Sequence, residues 1–209
     1  MRKFEEKFLR LDNFNSSMLV SPEIIRGCIS HLYTTLDIID ENLSDNGSDR
    51  FSLLVEKANL SSVVGNILGA GVVKYSNNRY YRNEPNTYPD LLPTDSRDRG
   101  IEIKTAIGRN APKGHHVKSG NYLIFRYSLT DINGILSSKV ENLNTVTIWE
   151  VKQGYLEETD FTYSDTRFDS GKTATIKLSS LDKLPLLYFD HMACPYKHHS
   201  LSTPYSGFN

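Results

Sequence analysis

The chain has 209 residues, 38% of them hydrophobic and 11% aromatic, with a net charge of −1; these values suit one domain with a sizeable core and exclude a low-complexity or disordered chain. No stretch approaches the roughly 18 apolar residues that span a bilayer, and Met1–Lys7 has no apolar signal-like run, so a soluble, cytoplasmic protein with no membrane partner is expected. Two cysteines, Cys28 and Cys194, are too few for a disulfide framework and read as buried thiols.

In chain order, Ser21-Pro22-Glu23 is an N-cap followed by a proline at the first helical position. Ile25, Cys28, Ile29, Leu32, Leu36 and Ile39 then recur at helical spacing and predict a core face. A second helix is expected from about Arg50 to Leu68. Its stripe starts with Phe51, Leu54, Val55 and Ala58, continues through Leu60, Val63, Val64, Ile67 and Leu68, and ends at Gly69-Ala70-Gly71. Residues 72–76, an Asn77-Asn78 turn and Arg79–Arg82 read as a β-hairpin.

The chemistry concentrates next. Tyr88-Pro89-Asp90-Leu91 is followed, twelve residues after Asp90, by Glu102-Ile103-Lys104. Side chains in a strand alternate faces, so Glu102 and Lys104 point one way while Ile101 and Ile103 enter a core. The polar run from Pro93 to Gly100 lets the chain double back and brings Asp90 beside Glu102. Two carboxylates suit a hard divalent cation such as Mg2+ that also binds substrate phosphate oxygens. A lysine beside them offsets charge that builds on a phosphoryl transition state and orients the attacking water. Asp90, Glu102 and Lys104 therefore read as the catalytic group of a nuclease.

The net charge by itself argues against a polyanion partner, but its distribution does not. From Ile103 to Thr130 the chain carries Lys104, Arg109, Lys113, Lys118 and Arg126 without one acid, whereas acids gather at 37–49 and 150–169. Within that run, Gly108–Gly120 is rich in Gly, Pro and polar residues and reads as a loop carrying hydrogen-bond donors. Arg109, Asn110, Lys113, His115, His116 and Lys118 are its candidate DNA contacts, to base edges or phosphates. Strands are expected at Tyr122–Tyr127, Thr145–Val151 and Ala174–Leu178. The tail from His191 to His199 holds His and Cys residues but no Cys-x2-Cys pair, so a docked or unstructured tail is expected rather than a zinc site.

The Pro89-Asp90 and Glu102-Ile103-Lys104 elements resemble the PD-(D/E)XK nuclease superfamily, and within it the type II restriction endonucleases. The resemblance covers about fifteen residues of the 209. It implies an α/β (α+β) fold with a mixed central β-sheet flanked by helices. It also implies that Asp90 and Glu102 bind Mg2+, that the Ile103 carbonyl adds a ligand, and that Lys104 is the catalytic lysine. Glu56 is a candidate additional acid, because members often carry one on a helix before the Pro-Asp strand; an exposed helical glutamate is the plainer reading. The expected organisation is a single nuclease domain over 1–209, with a helical part at about 1–70, a catalytic sheet at about 72–190 and a tail at about 191–209. The expected activity is Mg2+-dependent hydrolysis of double-stranded DNA at a short palindromic site to leave 5′-phosphate ends. A homodimer would match that symmetry, and a cognate DNA methyltransferase would be a genetic companion only. A repair or junction-resolving nuclease of the same fold and a noncatalytic DNA-binding or interaction module are the alternatives.

Overall fold

The computed structural model describes residues 1–114, 118–136, 143–164, 173–196 and 205–208. Helix α1 (Pro22–Asp45) starts where expected, with the Ser21 side chain accepting the Ile24 N–H at 3.4 Å. Ile25, Cys28, Ile29, Leu32 and Leu36 are buried along it.

The next helical stretch differs from the expectation of one helix over 50–68. It divides into a short α2 (Phe51–Leu54) and a long α3 (Lys57–Tyr75), separated by extended backbone at Val55 and Glu56. Buried Asp40 anchors the start of α2 to α1: its carboxylate takes the Phe51 N–H at 2.8 Å and Arg50 Nε at 2.9 Å. Leu54 and Ala58, expected in the apolar stripe, are exposed. Nor does Gly69-Ala70-Gly71 end the helix. A Cβ at Gly71 would lie 2.7 Å from Cys28 Cα, so this glycine serves the close crossing of α1 and α3. Residues 72–75 are therefore helical, and the expected hairpin does not form. Asn77 and Asn78 do make a left-handed turn, with φ of 51° and 62°. It leads into β1 (Tyr80–Arg82), whose antiparallel partner is β2 (Leu91–Pro93).

The remaining strands are β3 (Glu102–Ile107), β4 (Lys113–Gly114), β5 (Gly120–Thr130), β6 (Thr145–Leu156), β7 (Phe161–Ser164), β8 (Thr173–Ile176) and β9 (Leu186–Phe189), with α4 (Leu178–Lys183) before the last. The strand expected at Ala174–Leu178 stops at Ile176, since the Lys177 N–H turns to the Asp160 carbonyl at 2.8 Å and Leu178 opens α4. The central sheet has four strands in the order β3-β5-β6-β9; β3 runs parallel to β5 and the other pairings are antiparallel. A second sheet, β4-β8-β7, packs nearby.

Alternation along the strands separates two faces. Leu123, Phe125 and Tyr127 of β5 join Val146, Ile148 and Val151 of β6 beneath α1 and α3. Tyr122 and Ile124 face Phe161, Ile176, Leu181 and Leu184 of the smaller sheet and α4. The protein is thus a mixed α/β fold whose mixed central sheet is flanked by helices. Among the described residues no helix is long and apolar enough to cross a membrane.

One member of the basic run departs from its expected role. Arg126 is fully buried, and its guanidinium forks onto buried Glu150, its cross-strand neighbour. A bulge inserts Trp149 between the β6 partners of Arg126 and Tyr127 and lays its ring 4.2 Å from the Arg126 guanidinium carbon. Tyr205 packs into the same cluster and donates its hydroxyl to Glu150, so the described part of the tail is docked. The tail's Lys197, His198 and His199 lie outside the described residues. Cys28 and Cys194 are free, buried thiols.

Candidate active site

Leu91 and Ile101 form an isolated antiparallel bridge, with N–H to carbonyl distances of 3.0 and 2.9 Å. The bridge pins the two arms of the 93–100 turn together, and the residues on either side of it come into contact. Asp90 gives its N–H to Glu102 Oε2 at 3.1 Å, and its own carboxylate accepts the Ile103 N–H on Oδ2 at 2.7 Å. Lys104 Nζ donates to Glu102 Oε1 at 2.5 Å. The three residues read from sequence as one group therefore meet.

Their orientation follows from β3 being the edge strand of the central sheet. Even-numbered Glu102 and Lys104 share one face, while Ile101 and Ile103 are buried in the core under the helices. On the edge, successive residues turn their backbone polar groups alternately toward β5 and away from it. The Ile103 N–H points away, to Asp90, and its carbonyl lies on that same outer side. Two carboxylates and an outward main-chain oxygen thus lie together. Among the described residues no donor reaches the other Asp90 oxygen, Oδ1. This hard-oxygen set fits Mg2+, which takes one or two carboxylates and fills its remaining positions with water and phosphate oxygens. Burial raises the Glu102 pKa above its ordinary value; Lys104 offsets part of that rise and the Asp90 charge adds to it. At 9% exposure, Glu102 lies deeper than the half-buried Asp90 and Lys104.

Asp90, Ile103 and Lys104 open onto a cleft of about 620 Å3, walled by α3 on one side and by residues 104–113 on the other. Asn110 and Lys113 line it, Lys113 from strand β4 rather than from a loop. Arg109 turns instead to the tail, donating from Nε and Nη2 to the Pro195 carbonyl at 3.0 and 2.8 Å beneath the Tyr196 ring. Lys118 sets its ammonium 4.7 Å from the Tyr88 ring centroid. His115 and His116 lie outside the described residues. Glu56 is the exposed N-cap of α3, and among the described residues no three His, Cys, Asp or Glu side chains gather as a metal group. It is therefore not a third acid beside Asp90 and Glu102 in this arrangement.

Comparison with protein-family models, curated proteins and solved structures gave no match. The functional reading accordingly rests on geometry and chemistry. Sequence reasoning missed the α3 wall, where Lys57, Ser61, Ser62 and Asn66 line the cleft with Arg82. The available signal was Ser62 and Asn66, polar residues at a spacing of four, opposite the apolar stripe of Leu60, Val64 and Leu68.

Proposed function

We propose that this chain is a Mg2+-dependent deoxyribonuclease of restriction type, with Asp90, Glu102 and the Ile103 carbonyl as metal ligands and Lys104 as the catalytic lysine. The observation that carries the reading is the interlock of Asp90, Glu102 and Lys104 at the mouth of a cation-lined cleft. Bound there, Mg2+ would supply an acidified water and neutralise charge on the phosphoryl group. The chain's own contribution is positional. The Ile103 N–H fixes the Asp90 carboxylate and the Asp90 N–H fixes Glu102. The Lys104 ammonium sits where it can leave Glu102 for a non-bridging phosphate oxygen as negative charge develops. A single site of this kind attacks one strand, so cutting both strands at a palindrome calls for a homodimer. A DNA methyltransferase of matching specificity would protect the host, and the expected products carry 5′-phosphates.

Incubation with unmethylated plasmid or phage DNA, in Mg2+ and in EDTA, tests the reading. Discrete Mg2+-dependent fragments that vanish in Asp90→Ala and Lys104→Ala are expected. A smear that disappears in the same variants would indicate a repair or junction-resolving nuclease instead. A second reading draws on one observation: both Glu102 oxygens already have partners within the protein. In that reading the trio is a structural ion pair in a noncatalytic DNA-binding module. DNA left intact in every lane, together with duplex affinity indifferent to Mg2+, would establish it.

A further inference from the structure

Arg82, on the short strand β1, reaches across α3 through a gap left by Gly69. A Cβ at position 69 would lie 2.0 Å from Arg82 Nη1, so any larger residue there must displace the guanidinium. One turn earlier on α3, Asn66 accepts Arg82 Nη2 on Oδ1 at 2.9 Å. A neutral amide and a missing side chain thus aim a full positive charge at the cleft that Asp90 and Lys104 share.

This charge has no ion-pair partner among the described residues. Among the described residues, no carboxylate pairs with Arg82, nor with Lys57 or Lys113, which line the same cleft. Lys104, the remaining cation of the lining, is paired with Glu102. Several other arginines do meet acids: Arg2 meets Asp37, Arg50 meets Asp40, Arg79 meets Asp98 and Arg126 meets Glu150. In a chain of net charge −1, three unpaired cations around one cleft make a local positive potential that favours a polyanion. Arginine adds geometry to charge, because its planar fork matches two oxygens of one phosphate.

We propose that Arg82, positioned by Asn66 and by the gap at Gly69, clamps a backbone phosphate of the DNA strand lying across Asp90 and Lys104, with Lys57 and Lys113 flanking it electrostatically. The identity of the polyanion rests on the nuclease reading above; the clamp itself is a separate assignment, and its test separates the two. Arg82 is a positioning residue: it holds the strand and takes no part in bond breaking.

Fluorescence anisotropy of a short labelled duplex, titrated in EDTA over a salt series, measures the clamp without cleavage. Arg82→Gln should weaken binding about tenfold, and the slope of log K against log salt should shrink by about 0.9, the value for one lost phosphate contact. Arg82→Lys should restore the slope but only part of the affinity, because the charge returns without the fork. Gly69→Leu should reproduce the Arg82→Gln defect with the arginine still present, and thermal unfolding identifies any variant that is simply misfolded. Wild-type affinity and slope in folded Arg82→Gln would overturn the clamp and leave the nuclease reading intact. Duplex binding that follows these expectations, in a protein that cuts nothing in Mg2+, would support the clamp and overturn the nuclease. A wild-type protein that binds no duplex would overturn both.

Discussion

Asp90 and Glu102 are tied through the main chain: the Asp90 N–H donates to Glu102 Oε2 at 3.1 Å, next to the Leu91–Ile101 bridge. The side chain of one acid is therefore oriented by the backbone of the other, and both depend on the edge of β3. Preorganisation of this kind spares the cost of gathering like charges when a cation arrives.

The first expectation follows from that tie. Asp90→Asn and Glu102→Gln preserve shape and remove one charge each, so both should fold while Mg2+-dependent plasmid nicking falls by about a hundredfold or more. Lys104→Met should lose cleavage to a similar degree yet retain Mg2+ binding by calorimetry, because lysine is no ligand. Retained nicking in Asp90→Asn would remove this residue from the metal site.

The raised pKa of Glu102 sets a direction for activity against pH. Metal ligands must be deprotonated, so cleavage should decline as the pH falls through the raised value, earlier than for an ordinary glutamate. The linkage to stability has the opposite sign. Burial favours the protonated form, so the folding stability contributed by this group is fully present below the ordinary glutamate pKa and is lost as pH rises through the folded value. Saturating Mg2+ should shift the activity limb to lower pH; a limb insensitive to metal concentration would exclude Glu102 as its origin.

Asp190 offers a test of stability away from the site. Burial pushes its carboxyl up from 3.8 to about 6, although the Met192 and Ala193 N–H groups partly oppose the rise. The contribution of this group to folding stability should therefore fall as the pH rises from about 4 to about 6, by as much as about 3 kcal/mol. Asp190→Asn, which keeps an acceptor for the Met192 N–H, should flatten urea-unfolding stability over that window and exceed wild type at pH 7. An unchanged pH profile would assign the loss to other groups.

The buried pair Arg126–Glu150 should behave as a unit. Arg126→Met or Glu150→Gln alone leaves one buried group unmatched and should cost about 3–5 kcal/mol. Arg126→Met combined with Glu150→Leu should recover much of that loss, read by denaturant midpoint. Additive losses in the double variant would mean that the aromatic cage of Trp149 and Tyr205, rather than the pair, carries the energy.

Within the basic loop, Lys113 and Arg109 should part company. Lys113 lines the cleft without a carboxylate partner among the described residues, so Lys113→Ala should weaken duplex binding and flatten its salt dependence by about one phosphate contact. Arg109 is committed to the Pro195 carbonyl and Tyr196, so Arg109→Ala should loosen the tail while changing the salt slope little. Equal slope changes in both variants would place Arg109 on the DNA instead.

Local chemistry by itself determined a good part of this protein. The Ser21-Pro22 cap and the apolar spacing after it specify α1, and the asparagine pair specifies a left-handed turn. The polar run between Asp90 and Glu102 specifies a reversal that brings two acids and a lysine together, because alternation and turn propensity act over a few residues. Only tertiary packing decided the rest. Gly71 reads as a helix stop until Cys28 of α1 is seen to need the space, and Arg126 reads as a surface cation until Glu150 arrives from β6. Asp40 fixes the start of α2 from ten residues upstream of Arg50. The α3 wall of the cleft, with Asn66 and Gly69 setting Arg82, was hidden for the same reason. Each such contact joins segments distant in the chain, and burial energy rather than local propensity selects among the conformations that a short stretch permits.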